Sequence, residues 1–143
     1  MTYTERFSEG NAVLADINPA SYTSEQNTGA VSFANYARGV VLIHAGVLGQ
    51  DVDIDVEQST TAAGTPKAFD SNAKDITLTA TTDNNTISVI EINADEFDVA
   101  NGYYFLNVEC TPAGSSSIFS VLVLGTVPRF KPVPTTTLDS VTD

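Results

Sequence analysis

Four carboxylates at alternate positions are the residues of this chain best suited to chemistry. Asp51, Asp53, Asp55 and Glu57 open with a D-x-D-x-D spacing, and calcium-binding loops begin in the same way. Val56 stands where such a loop needs a glycine for its sharp turn, and the distal glutamate is missing. The sequence therefore excludes an EF-hand. Regular alternation predicts the solvent face of a strand instead, with a weak surface cation site or a charged edge that discourages aggregation as the alternatives.

The single histidine and the single cysteine lie in apolar segments. His44 belongs to the run 40–45, which favours a packed or interface residue over a catalytic base. Cys110 continues the alternation of Tyr104, Leu106 and Val108, which predicts a small buried side chain rather than a reactive thiol. One histidine and one cysteine cannot supply the usual ligands of a zinc site.

Catalytic motifs are missing from the sequence. It contains no G-x-S-x-G nucleophile elbow and no glycine-rich phosphate-binding loop. The carboxylates of Asp95, Glu96 and Asp98 are typical of a solvated turn. A carboxylate pair for glycoside hydrolysis stays open as an alternative, but a sugar-binding platform is hard to build without tryptophan and with only 8% aromatic residues. We expect no enzymatic activity, no cofactor and no metal.

The charge of the chain disfavours two classes of partner. With 18 Asp and Glu against 6 Lys and Arg, the net charge is -12, so phosphate backbones and anionic membranes repel the chain. The longest apolar runs, Val40–Ile43 and Val121–Leu124, are far shorter than the roughly 18 residues that span a bilayer. Residues 1–10 lack the positive start and apolar stretch of a signal peptide. We therefore expect a soluble protein that is made in the cytoplasm.

Short apolar runs separated by turn residues predict an all-β fold. We expect an antiparallel two-layer β-sandwich, jelly-roll or immunoglobulin-like, with extended N-terminal and C-terminal arms. The predicted domains are an arm at 1–29, the sandwich at 30–126 and a Pro/Thr-rich tail at 127–143. The predicted strands number about seven and lie near 30–36, 39–45, 52–57, 76–80, 86–92, 103–111 and 118–125.

Two of these runs are apolar without alternation. The residues of 39–45 are continuously apolar, which predicts a strand that is covered on both faces. In the run 86–92, Ile87 and Val89 have one parity and Ile90 and Ile92 the other. This change predicts either a β-bulge or burial on both faces.

Several motifs resemble a family of small proteins from tailed bacteriophages and prophages, encoded beside the major capsid gene. The resemblance covers most of residues 3–130. Its motifs are Tyr3-Thr4-Glu5-Arg6-Phe7, Val13-Leu14-Ala15-Asp16-Ile17-Asn18-Pro19, Val31-Ser32-Phe33-Ala34-Asn35-Tyr36, Glu57-Gln58-Ser59-Thr60, Asp95-Glu96-Phe97-Asp98, Leu124-Gly125 and Pro128-Arg129-Phe130.

The resemblance implies a structural protein of the virion. Its expected role is a capsid decoration or cement protein on the outer surface of the head, bound to the major capsid protein as a homo-oligomer, with a trimer favoured, or as a symmetric array. A head-completion or tail-tube component is the first alternative, and a carbohydrate-binding adhesin is the second. The expected contact residues come from the two arms: Tyr3, Phe7, Tyr22, Arg129 and Phe130.

Overall fold

A computed structural model of the protein describes residues 5–134 and residue 138. Within them lie one α-helical turn, α1 (Phe7–Gly10), three 3-10 turns (Asp70–Asn72, Ala94–Glu96 and Val99–Asn101) and ten strands. The strands are β1 (Asn11–Tyr22), β2 (Gln26–Asn27), β3 (Val31–Ser32), β4 (Tyr36–Leu48), β5 (Val52–Ser59), β6 (Lys67–Ala68), β7 (Ile76–Leu78), β8 (Ile87–Asn93), β9 (Phe105–Pro112) and β10 (Ser117–Pro128). No helix in this part of the chain is long or apolar enough to span a bilayer.

Two antiparallel sheets pack as a sandwich. The first sheet has the order β1-β10-β4-β8, and the second has the order β2-β9-β5-β6. Since β3 also pairs with β9 and β7 also pairs with β5, β2 with β3 and β6 with β7 act as two interrupted strands. Successive strands then alternate between the sheets, except that β5 and the following β6 and β7 lie together in the second sheet, and this is the strand order of a jelly roll. The predicted all-β antiparallel sandwich is confirmed, and its strand order is that of a jelly roll rather than an immunoglobulin domain.

The core lies between the two sheets. Alternation on β5 buries Val52, Ile54 and Val56, as the sequence predicts, and Cys110 on β9 is fully buried. An aromatic cluster closes one end of this core, where Phe97 lies 4.8 Å from Phe69 and 5.6 Å from Phe33 between ring centroids.

The predicted N-terminal arm differs from the structure. The sequence pattern places residues 1–29 outside the sandwich, but β1 pairs with β10 from Asn11 to Tyr22 and buries Ala12 and Ile17 in the core. Two register shifts against β10 interrupt the alternation of β1, and an interrupted period hides a strand from pattern analysis.

The predicted tail also begins later than expected. Strand β10 continues to Pro128, and Val133 is buried while its N–H donates to the carbonyl of Glu9 at 3.3 Å. Residues 135–137 and 139–143 lie outside the described residues.

Two local features of the turn before β9 follow the sequence, and one side chain does not. The backbone N–H of Asn93 donates to Glu96 at 2.8 Å and caps a 3-10 turn at Ala94–Glu96. Gly102 takes a φ of 80°, which suits a residue without Cβ. Alternation with Leu106, Val108 and Cys110 predicts an inward side chain for Tyr104, but this residue precedes β9 and is 39% exposed.

Candidate interaction surfaces

The outer face of the first sheet carries a group of neighbouring apolar side chains, with Asp16 beside Leu122 and Glu91 beside Val40 at its edges. Leu122 on β10, Leu42 on β4 and Val89 on β8 lie side by side across three strands. Val89 is 54% exposed and Ile87, one row further, is 66% exposed. We call this surface the apolar face; it consists of Val40, Leu42, Ile87, Val89, Ile118 and Leu122.

The apolar face explains the two runs that lack alternation. On β4 the residues Val41 and Ile43 point into the core, while Val40 and Leu42 point outward. The pairing of β8 with β4 contains no register shift, so the parity change in β8 reflects apolar residues on both faces and not a bulge. Both strands carry apolar residues on both faces, which is the pattern of a strand that is buried on both sides. The described residues cover only the inner face of each strand.

His44 lies on this same outer face. It pairs with Ser120 on one side and Ile87 on the other, and it is exposed. The packed alternative is therefore wrong for this chain alone, and the interface alternative stays a prediction.

The outer face of the second sheet is acidic. Asp55 lies opposite Glu109 across β5 and β9. Burial raises the pKa of both carboxyls, and neighbouring carboxylates raise them further. We call this surface the acidic face; it consists of Asp53, Asp55, Glu57, Asp75 and Glu109.

The carboxylates of the acidic face do not converge on a common point. Asp53 accepts a hydrogen bond from the Thr77 hydroxyl at 2.7 Å, and Asp75 accepts the N–H of Val56 at 2.9 Å. Among the described residues, no group of three or more His, Cys, Asp or Glu side chains could hold a metal ion. The arrangement gives a charged surface and not a ligand cage.

Basic residues lie at or towards one end of the sandwich, where β10 ends and β4 and β9 begin. They are Arg6, Arg38, Lys67, Lys74, Arg129 and Lys131. We call this the basic end. All three lysines pair with carboxylates there. Arg129, in contrast, forms no ion pair with any residue between 5 and 134.

A cavity of about 240 Å³ opens at the basic end. We call it the end cavity. The guanidinium-bearing Arg129 and the exposed Tyr104 contribute to its rim, and the buried rings of Phe33 and Phe97 form its base. Its other lining residues are Ala34, Ala94 and Val99.

The structure separates the five predicted contact residues. Phe7 and Phe130 are 64% and 76% exposed, and Arg129 lines the end cavity. Tyr22 instead packs within its own chain, since its ring lies 5.0 Å from that of Phe119 and its hydroxyl donates to the carbonyl of Asn18. Tyr3 lies outside the described residues.

Sequence analysis missed the apolar face as a site, although its signal was present. The two runs without alternation, on β4 and β8, are adjacent strands in the folded sheet. Their outward residues form one surface only because β8 pairs with β4 across 43 to 55 residues of sequence, as in Leu42 with Val89 and Ile43 with Ser88. That pairing is a property of the tertiary fold.

Comparisons with known proteins find only weak similarity to solved structures. No protein-family model matches the chain, and no curated protein sequence matches it. Tobacco streak virus coat protein is 11% identical with a TM-score of 0.41, and the match covers 97% of this chain and 100% of that one. A chain from naturally occurring empty particles of cowpea mosaic virus is 9% identical with a TM-score of 0.38, covering 94% of each chain. A chain of broad bean stain virus is 9% identical with a TM-score of 0.38, covering 100% of this chain and 98% of that one. Matches of this strength say nothing about what this chain binds.

Proposed function

We propose that this chain is a structural protein of a virus particle, and that it decorates the outer surface of a tailed-phage head through protein-protein contacts without catalysis. The apolar face carries the proposal. Contiguous exposed apolar patches mark interaction sites, and here β4 and β8 have two-sided apolar sequences with one side uncovered.

The opposite chemistry of the two sheets favours one orientation on a larger partner. The apolar face would lie against the head, where burial of exposed side chains such as Ile87 and Val89 stabilises attachment. The acidic face would then point to solvent, because burying Asp55 and Glu109 without partners is costly. A net charge of -12 suits the outside of a shell better than its DNA-filled interior.

A decoration protein of this kind stabilises the head because many copies bind to identical sites. A standard interface buries about 1,600 Å² in total, and many identical sites on one shell multiply a modest stabilisation at each. The sequence resemblance to small proteins encoded beside a major capsid gene also supports the proposal. Phe7 is an exposed aromatic side chain that is available for a further contact with the head.

Co-sedimentation with empty expanded heads of a phage that encodes the chain tests the proposal. Leu122→Asp and Val89→Asp each place a carboxylate in the apolar face, and each should weaken attachment at least about tenfold, since an unpaired charge would be buried. Ala63→Asp adds the same charge in an exposed loop after β5 and should bind like the wild type.

Three outcomes would overturn the proposal. Equal attachment of wild type and both face variants would remove the apolar face as the contact. Attachment to tails or to a single vertex would favour a completion or tail component. Binding to glycans with no binding to heads would favour an adhesin.

A further inference from the structure

The end cavity has the size and lining of a receptor for an aromatic side chain. Its volume is about 240 Å³, and apolar cavities of about 150 Å³ are large enough to hold benzene. The rings of Phe33, Phe97 and Tyr104 contribute to its walls. An entering ring would therefore meet aromatic edges and faces, which attract one another in tilted arrangements.

The same end of the molecule presents an aromatic side chain without a pocket. Phe130 is 76% exposed and directly follows Arg129, whose side chain lines the end cavity. Phe130 does not line the end cavity of its own chain. The exposed ring and the open cavity can therefore satisfy each other between two molecules.

The charge distribution allows a second copy to approach at this end. The acidic face and the end that carries Asp51 and Asp83 repel another chain of net charge -12. All six basic residues lie at or towards the basic end, and Asp98, Glu96 and Glu5 pair with its three lysines. Charges of both signs are therefore present there, and two copies meet with the least repulsion. Arg129, which has no ion pair with residues 5–134, is placed to stack on an entering ring as a cation–π partner.

We propose that Phe130 of one copy enters the end cavity of a second copy. Because the ring and the cavity lie on the same end of each chain, the contact can be made reciprocally or passed around a closed ring. This contact does not require a head. Self-association can therefore fail while attachment through the apolar face succeeds, and attachment can fail while self-association succeeds.

Analytical ultracentrifugation of the whole chain, from about 1 µM to about 1 mM, tests the contact. The wild type should associate. Phe130→Ala removes the ring, and Ala34→Phe fills the cavity from its exposed rim; each should weaken association at least about tenfold. Phe7→Ala removes another exposed aromatic, and Leu122→Asp disables the apolar face; both should associate like the wild type.

A mixing experiment separates this contact from a general loss of association. Phe130→Ala keeps an open cavity, and Ala34→Phe keeps the ring. Each variant alone should associate at least about tenfold more weakly than the wild type, whereas an equimolar mixture should form a mixed complex. Native mass spectrometry resolves the mixed complex when one variant carries a heavy isotope. Thermal melts close to that of the wild type confirm that both variants fold.

The proposal is overturned if the wild type stays monomeric at about 1 mM, or if Phe130→Ala associates like the wild type. A mixture of the two variants that forms no mixed complex would overturn it as well.

Discussion

Asp55 on β5 and Glu109 on β9 lie directly opposite each other at the centre of the acidic face. Burial raises the pKa of each carboxyl, and the Coulombic effect of nearby carboxylates adds to it. Each side chain therefore binds its proton more tightly in the folded chain than in the unfolded chain. Ionisation of these two carboxyls therefore opposes folding.

We predict that Glu109→Gln stabilises the protein at neutral pH. A raised folded-state pKa means that the carboxylate lowers stability once the pH exceeds that value, and that the loss disappears as the pH falls below the unfolded-state value. The variant should exceed the wild type by up to about 1 kcal/mol at pH 7, the scale of a cross-strand pair, and match it near pH 2. Urea unfolding at both pH values measures the difference.

Asp16→Asn is the control for net charge, because Asp16 is exposed on β1 of the other sheet. A gain in stability for Asp16→Asn as large as that for Glu109→Gln would show that total charge sets the effect, and not the burial of Glu109 beside Glu25, Glu57 and Asp55.

The thiol of Cys110 should be inert in the folded protein. Burial, followed by the charges of Asp55 and Glu109, raises the pKa of Cys110 to about 12. An exposed cysteine with a pKa near 8.5 is largely thiolate at pH 9. We expect an aromatic disulfide reagent at pH 9 to label Cys110 only after denaturant is added; rapid labelling of the folded chain would contradict its placement in the core.

Gly39→Ala should destabilise the sandwich. A Cβ at this position would collide with Cε1 of Phe33 and lie 2.6 Å from its Cζ and 3.1 Å from the carbonyl oxygen of Leu124. Overpacking of a well-filled core costs about 1–3 kcal/mol, which denaturant unfolding would detect. In a Phe33→Ala background the same substitution should cost much less, because the ring is gone; an unchanged cost would place the clash elsewhere.

A chelator should leave the melting temperature unchanged. Asp51 accepts the N–H of Ala80 at 2.8 Å, and Asp53 accepts the Thr77 hydroxyl at 2.7 Å, so these carboxylates are held by separate partners. A bound ion would stabilise the folded state by mass action. Melting curves with EDTA and with millimolar calcium should therefore overlay, and a clear difference between them would revive a cation site on the acidic face.

The alternation of apolar and polar residues was enough to predict the strands in which it is not interrupted. Val52, Ile54 and Val56 read as one buried face, and they are one. The burial of Cys110 followed from the same rule. The rule works here because β5 and β9 pair without a register shift, so sequence parity and side-chain direction stay in step.

The same rule failed for β1 and for the residue before β9. Register shifts between Val13 and Ala15 and between Ile17 and Ala20 change which parity faces the core. Tyr104 lies before β9 begins at Phe105, so strand parity does not extend to it. The position of a bulge or of a strand end depends on the partner strand. The partners of β1 lie 95 to 115 residues away in sequence, so a local pattern does not contain them.

What the sequence determined about this protein is its class: an acidic, all-β chain without catalytic motifs, in which two runs are apolar on both sides. The tertiary structure alone decided what those runs mean. By pairing β4 with both β8 and β10, it joins Leu42, Val89 and Leu122 into one exposed surface, and it brings Phe33, Tyr104 and Arg129 around one cavity. The physical reason is that a surface is formed by residues that are neighbours in space, and long-range strand pairing determines which residues those are.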